Sequence, residues 1–188
     1  MVDPASAQDS DLAALARRGD VNAIGALYDR HHEALFRYIW SRVGERETAE
    51  DMTGEVFTRM LAALPRYQPT ATPFRAWLYR IAHNLVVDHY RKEGGRTFLS
   101  LDQAEAQSDE AGDLNLIVEW NLTIEQVHHA LARLDEAQRE VVSLRFLSGL
   151  SLQEVAAALE KSEGAIKALQ HRGLAALRRA LVEMQISP

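Results

Sequence analysis

The chain reads as an all-α protein made of two small helical domains joined by an acidic linker. Three observations lead there. Apolar residues recur at helical spacing along most of its 188 residues, without the strict alternation of a half-buried strand. Start and stop residues (Asp20, Gly44, Pro65, Pro73, Asp135, Ser151, Ser162) punctuate that pattern. Charge is also unevenly spread. The formal net charge is −6, yet residues 1–92 carry 12 basic and 12 acidic side chains, and residues 127–188 carry 8 and 7. The whole deficit sits in 93–126, with 1 basic and 8 acidic.

In chain order, Ser10 is placed to cap a short helix through Arg18. Asp20 caps a longer one, Val21 to about Val43, closed by Gly44. Thr48 opens a third, Ala49 to Leu64, which Pro65 stops. A loop, Pro65 to Pro73, follows. Thr72 and Pro73, with Pro at the first helical position, open a fourth helix, Phe74 to about Lys92, ended by Gly94 and Gly95. Residues 93–122 are rich in Asp, Glu, Gln, Ser and Gly, with weak periodicity, and read as a flexible acidic linker. They divide a first domain, 1–92, from a second, 123–188. In the second, helices are expected over Ile124–Leu134, from Asp135 as cap to about Leu147, and over Leu152–Leu159 behind a Ser151/Glu154 capping box. A last helix, Glu163–Glu183, is capped by Ser162. The final two helices have helix-turn-helix spacing. Bodies of this size bury modest cores, so their arrangement is expected to depend on what is bound.

Several function classes fall away. There are no cysteines, hence no disulfide or thiolate metal site. No apolar run reaches the ~18 residues of a membrane span, and the polar, acidic MVDPASAQDSD is unlike a secretory leader. A cytoplasmic protein without membrane insertion is expected. His31-His32-Glu33 lacks the second histidine of a zincin, because Phe36 stands four after His32. His128 and His129 diverge by 100° on a helix and cannot share a face. No phosphate loop or nucleophile elbow occurs. Neither an enzyme nor a cofactor or metal is expected.

Three surfaces remain. On the last helix Ile166, Gly173, Leu177, Ala180 and Met184 share one side, while Lys167, His171, Arg172, Arg178 and Arg179 share the other. A DNA-reading helix offers its N-terminal half to base edges and its flanks to phosphates. Lys167, Ala168, His171 and Arg172 suit the first role, Arg178 and Arg179 the second. A plain solvated basic face is the alternative. On the fourth helix Phe74, Leu78, Ile81 and Leu85 form an inner stripe with His89. Arg80, Asn84 and Arg91 cluster opposite, with His83 beside them. Two guanidiniums around an amide suit single-stranded nucleic acid, or are merely exposed polar groups. On the third helix Phe57, Leu61 and Leu64 extend the apolar arc past one core face, bordered by Asp51, Glu55 and Thr58. That strip suits a basic amphipathic partner, or packing on two neighbours.

AEDMTGEVFTRML, then FRAWLYRIAHNLVVDHYR, an acidic linker, and LDEAQREVVSLRFLSGLSLQEVAAALEKSEGAIKALQHR together resemble a bacterial group IV (extracytoplasmic function) RNA polymerase sigma factor over about residues 11–182. The resemblance implies that the first domain is sigma region 2 and the second region 4. It implies a partner set of core RNA polymerase (β′ clamp helices and β flap), promoter DNA and an anti-sigma factor. Asp51, Glu55, Phe57, Thr58 and Leu61 would dock on polymerase. Asn84, with the Tyr67–Pro73 loop, would capture a flipped base of the non-template −10 strand, held by Arg80, His83 and Arg91. Lys167, Ala168, His171 and Arg172 would read the −35 duplex, with Arg178 and Arg179 on its backbone. The chain departs from the family pattern at Gly54 (often Gln), at Ala168-Leu169 (often Ser-Arg) and at Glu160 (often Gly). A Glu at Glu160 disfavours the left-handed turn. No appended regulatory domain is expected after the last helix. Two other readings stand beside the sigma factor: a stand-alone helix-turn-helix regulator acting as a dimer, and an adaptor or anti-sigma protein with an incidental basic helix.

Overall fold

The computed structural model describes residues 7–69, 71–92 and 124–186. The acidic segment 93–122 lies outside the described residues. Eight α-helices are present among the described residues, and no strand. In the first body these are α1 (Asp9–Ala16), α2 (Val21–Val43), α3 (Arg46–Ala63) and α4 (Phe74–Lys92). In the second they are α5 (Ile124–Ala132), α6 (Glu136–Val142), α7 (Leu152–Leu159) and α8 (Glu163–Ile186).

Local chemistry fixes most boundaries. Asp20 Oδ1 accepts from the backbone N–H groups of Asn22 and Ala23, at 2.9 and 3.2 Å, and starts α2. Gly44 ends it at φ 81°. Ser151 and Glu154 form the reciprocal capping box of α7, at 2.7 and 3.1 Å. Ser162 Oγ accepts from the Ala165 N–H at the start of α8. Two starts differ from expectation. Gln8, not Ser10, precedes α1 and offers no side-chain cap, with Asp9 and Asp11 placed against the positive end of the helix dipole instead. Glu45, not Thr48, caps α3, its longer side chain reaching the Thr48 N–H at 3.2 Å. The helix expected from Asp135 to Leu147 is α-helical only to Val142. Ser143–Leu147 form a single π turn, which places Ser143 and Leu144 in the interior.

Each body has a core. Leu27, Leu35, Tyr38, Ile39, Val56, Met60, Leu78, Ala82 and Val86 fill the first. Leu131, Leu134, Val142, Leu177, Ala180 and Leu181 form a cluster wholly within the second. The larger cluster does not stop at the boundary. It runs from the first body into Val141, Leu144, Leu150, Val155, Leu159, Ile166 and Leu169. The two bodies therefore share buried apolar surface: α4 lies along α7, and α2 meets α5 and the π turn. Sequence reasoning, which treats the bodies separately, does not anticipate this seam.

Candidate nucleic-acid interface

The helix-turn-helix is built by α7 and α8. Its turn is made by Glu160, which adopts the left-handed conformation (φ 55°, ψ 42°) while its N–H returns to the Ala156 carbonyl. Glycine takes this conformation at no steric cost; a glutamate is strained in it. Behind the turn α8 presents Lys167, His171, Arg172, Arg178 and Arg179 to solvent, with Ala168 half-buried. Among the described residues none of those four Lys and Arg side chains has a carboxylate within ion-pair distance. Ile166, Leu169, Leu177, Ala180 and Leu181 are buried on the opposite side. Gln170 accepts from Arg145 Nε at 3.0 Å, which ties the helix to the π turn. Gly173 allows α8 to approach α6 closely, since a Cβ there would lie 2.7 Å from Val142 Cγ2.

The face of α4 is arranged otherwise. Asn84 and Arg91 are exposed, and Asp88 lies 3.9 Å from Arg91. Arg80 and His83 are turned into the seam. Arg80 Nη1 sits 2.9 Å from Glu160 Oε1, and its Nη2 donates to the Ala157 carbonyl at 2.5 Å. His83 Nδ1 lies 3.1 Å from Glu140 Oε1. Tyr67 is buried, stacked on Trp77 at 4.6 Å, and its hydroxyl donates to the Thr72 carbonyl at 2.9 Å. In this arrangement Tyr67 supports the loop and presents no ring to solvent. His89 is half-buried, its ring edge-on to Tyr90.

Glu140 of α6 is the centre of the seam. It is almost fully buried, and its partners come from the other body: the Tyr38 hydroxyl at 2.5 Å, Arg42 Nε at 3.0 Å and His83. Arg42, 2% exposed, also pairs with Glu136. Its nitrogens reach both carboxylates at ion-pair distance but off the directions of good hydrogen bonds. Burial by itself would raise the Glu140 pKa. The Arg42 charge, then His83 and the Tyr38 hydroxyl, outweigh it and bring it down to about 2. Burial by itself would lower the His83 pKa, but Glu140 raises it above the ordinary histidine value. Burial, then the Glu140 charge, pushes the Tyr38 phenol well up. Nearby, Ser41 Oγ donates to Ser143 Oγ at 3.0 Å, His128 Nε2 meets the Trp40 carbonyl at 2.5 Å, and Arg75 Nη2 donates to the Ser148 carbonyl at 2.7 Å. None of Tyr38, Arg42, Glu136 or Glu140 stands out in the sequence. The available signal is polar residues on inward helix positions: Tyr38, Ser41 and Arg42 on α2, and Glu136 and Glu140 on α6.

On α3, Asp51, Glu55, Thr58 and Leu61 are exposed, with Glu55 paired to Arg59 at 2.7 Å. Phe57 is buried beneath Tyr28, ring centroids 4.6 Å apart. The exposed apolar groups of this face are therefore Tyr28 and Leu61, each 42% exposed. Sequence reasoning misses Tyr28, which shares the α2 surface with His32. Among the described residues no group of His, Asp and Glu is arranged to hold a metal ion, and no helix is long and apolar enough to cross a membrane.

A helix-turn-helix with an open cationic face, attached to a second helical body with its own polar helix face, defines a two-domain DNA-binding protein. Comparison with known proteins narrows the class. Residues 27–96 match sigma-70 region 2, and residues 130–179 match sigma-70 region 4. The chain is 38% identical to the ECF RNA polymerase sigma factor BldN of Streptomyces coelicolor, over 95% of this chain and 68% of that one. It is 34% identical to the ECF sigma factor SigD of Mycobacterium tuberculosis, over 91% and 82%. Its fold is similar to the solved structure of CnrH in complex with the cytosolic domain of CnrY, with a TM-score of 0.71, 30% identity, and coverage of 93% of this chain and 97% of that one. The chain belongs to the extracytoplasmic-function RNA polymerase sigma factors, a family of DNA-binding transcription initiation factors.

Proposed function

We propose that this chain binds core RNA polymerase in the cytoplasm and gives it promoter specificity, with residues 1–92 as region 2, 93–122 as linker and 123–188 as region 4. In this reading Lys167, His171 and Arg172 meet base edges of the −35 duplex, with Ala168 beside them, and Arg178 and Arg179 meet phosphates. Asn84 receives a base of the opened −10 strand, and Arg80, His83 and Arg91 hold the strand's backbone. Tyr67 contributes by shaping the loop that borders this pocket. Asp51, Glu55, Thr58 and Leu61, with Tyr28 over Phe57, form the polymerase-docking face. The observation that carries the reading is the pairing of a helix-turn-helix whose cations are open to solvent with a region 2 body bearing an exposed Asn84. A helix-turn-helix regulator acting as a dimer would need only the first of these.

An anti-sigma factor that covers one or both bodies fits the same surfaces. The CnrH structure, solved with the cytosolic domain of CnrY, is a relative bound to another protein and supports a protein partner of that kind here. Run-off transcription with purified core polymerase tests the proposal. Promoter-dependent transcripts that require the added chain are expected. Transcripts that require another sigma factor would point to a regulator instead. Within that assay, Asn84→Ala is expected to impair promoter opening while polymerase binding persists.

A further inference from the structure

Charge pairing in the first body is uneven. Among the described residues, every arginine of that body but three has a carboxylate within ion-pair distance. The three are Arg17, Arg18 and Arg66, and all are exposed. They are distant in sequence and neighbours in the fold: Arg17 Nη2 donates to the carbonyl of Pro65, the residue before Arg66, at 3.4 Å. The carboxylates around them are engaged elsewhere. Asp9 is held by Arg30 at 2.6 Å and His31 at 3.0 Å, and Asp20 accepts from the N–H groups that start α2. Cations are favoured at the end of a helix by its dipole, and that alone would suit Arg17 and Arg18. The end of α1 is, however, already capped by backbone. The N–H groups of Arg18 and Asp20 reach the Leu15 carbonyl at 2.9 and 3.3 Å, that of Gly19 reaches the Ala16 carbonyl at 2.9 Å, and Gly19 takes the left-handed conformation at φ 86°. Nor does the dipole of α1 account for Arg66, which arrives from the turn Leu64–Arg66 behind α3.

We propose that Arg17, Arg18 and Arg66 form a second phosphate-holding site, built by the end of α1 and the start of the loop before α4, that takes the sugar-phosphate backbone of the opened strand beyond the Asn84 pocket. This rests on the reading of α4 as the strand-binding helix. The chemistry fits: a guanidinium presents a planar fork of donors to a phosphate, and three of them without a carboxylate make a local cationic footprint on a chain of net negative charge. The placement fits as well. Arg66 leads directly into the Tyr67–Pro73 loop, whose form is fixed by Tyr67 stacked on Trp77 of α4 and bonded to the Thr72 carbonyl. From Asn84 back to Phe74 is about 15 Å of α4. A strand that leaves the pocket along α4 and crosses the loop arrives at Arg66, then at Arg17 and Arg18. Such a site reads no base. It adds affinity for any sequence, and that affinity falls with salt.

The test uses the full chain assembled with core RNA polymerase, titrated with a labelled mixed-sequence single strand and with a duplex of the same sequence over a range of salt. Each phosphate neutralised on a single strand adds about 0.7 to the slope of log affinity against log salt. With one phosphate on each of Arg17 and Arg66, the Arg17→Ala/Arg66→Ala variant is expected to lose about 1.4 of slope, so its deficit shrinks about sevenfold between about 50 and 200 mM salt. Adding Arg18→Ala is expected to remove about 0.7 more. Arg17→Lys/Arg66→Lys keeps both charges and is expected to keep the parent slope, with thermal unfolding unaltered in all variants because the three heads are exposed. An unchanged slope in the alanine variants would overturn the site. So would a slope that falls on the duplex alone, or one that falls together with the unfolding temperature and is not restored by lysine. Asn84→Ala separates this inference from the reading it rests on, since loss of a neutral amide leaves the slope alone. If Asn84→Ala weakens strand binding while the arginine variants keep the parent slope, the second site alone fails. If the arginine variants lose slope while Asn84→Ala binds like the parent, the phosphate site stands and the α4 reading fails.

Discussion

Acid should weaken this fold through one carboxylate. Glu140 is 2% exposed, and its pKa lies at about 2 in the folded chain, against 4.5 for an ordinary glutamate. A depressed carboxylate contributes stability that is fully present above the unfolded value and is lost as pH falls through the folded one. The window is therefore about 4.5 down to about 2. At about 1.4 kcal/mol for each tenfold in proton affinity, the contribution at neutral pH is on the order of 3 kcal/mol, with about 2 kcal/mol of it gone by pH 3. His83 shares the same interaction with Glu140, so its raised pKa is not a second, additive contribution. The groups facing Glu140 are Arg42 and Tyr38 from α2 and His83 from α4. His83, held above the ordinary histidine value, remains protonated throughout the acid limb. Urea unfolding of the parent and of Glu140→Gln at pH 7, 4.5 and 3 measures the effect. The variant is expected to be less stable at pH 7 and to lose about 1.5 kcal/mol less than the parent between pH 4.5 and 3. Equal acid slopes for the two chains would refute the assignment and place the acid sensitivity elsewhere.

Three further outcomes follow from named contacts. Gly173→Ala puts a Cβ 2.7 Å from Val142 Cγ2 and 3.3 Å from the Gln138 carbonyl, and the β-branched Val142 has little freedom to move aside. Overpacking of ~1–3 kcal/mol exceeds the ~1 kcal/mol gained in helix propensity, so thermal unfolding should show a net loss of about 1 kcal/mol; a gain would mean that α6 and α8 yield easily. Arg172→Ala should weaken protection of a −35 duplex by about 1–3 kcal/mol and relax base preference under it, and an unaltered footprint would place Arg172 off the bases. Tyr28→Ser should reduce affinity for core polymerase by about 1 kcal/mol or more, measured by titration of labelled chain, while the buried Phe57 keeps the α2–α3 packing in place; unchanged affinity would remove Tyr28 from the docking face.

What is legible in the sequence is what is local. Asp20, Gly44, Ser151 with Glu154, and Ser162 act within a turn of themselves, and the helices they bound stand where the pattern puts them. The starts of α1 and α3 escape because Gln8 and Glu45 are poor N-cap types. Glu45 serves only because its carboxylate reaches the Thr48 N–H. The π turn escapes for a different reason. Its extra residue is accommodated by tertiary packing, with Ser143 held against Ser41 across 102 positions of sequence. The same distance hides the Glu140 cluster, since no periodicity says which inward carboxylate meets which inward guanidinium. Glu160 is by residue type a poor fit to a left-handed turn. The structure shows that conformation adopted, with the unfavourable side chain given a partner in Arg80.

The two candidate DNA faces stand in opposite states, and that asymmetry has a mechanistic consequence. Lys167, His171, Arg172, Arg178 and Arg179 are exposed in the closed chain, whereas Arg80 and His83 are covered by the very body that carries those cations. The closed chain therefore leaves the proposed duplex-reading face of α8 free, while on α4 it holds Arg80 and His83 and leaves Asn84 and Arg91 exposed. Separating the bodies exposes Arg80 and His83, but it also returns Glu140 and Arg42 to water and uncovers shared apolar surface such as Leu159 and Val155. A partner that opens the chain must cover that surface or hold the bodies apart by contacts elsewhere. The α3 face lies outside the seam, with Asp51, Glu55 and Leu61 exposed while the chain is closed. In the proposed function, docking through α3 can thus begin on the closed chain, with opening as a later step. In that order Arg80 and His83 are released only on a chain already in contact with polymerase, whereas Asn84 and Arg91 are exposed from the start.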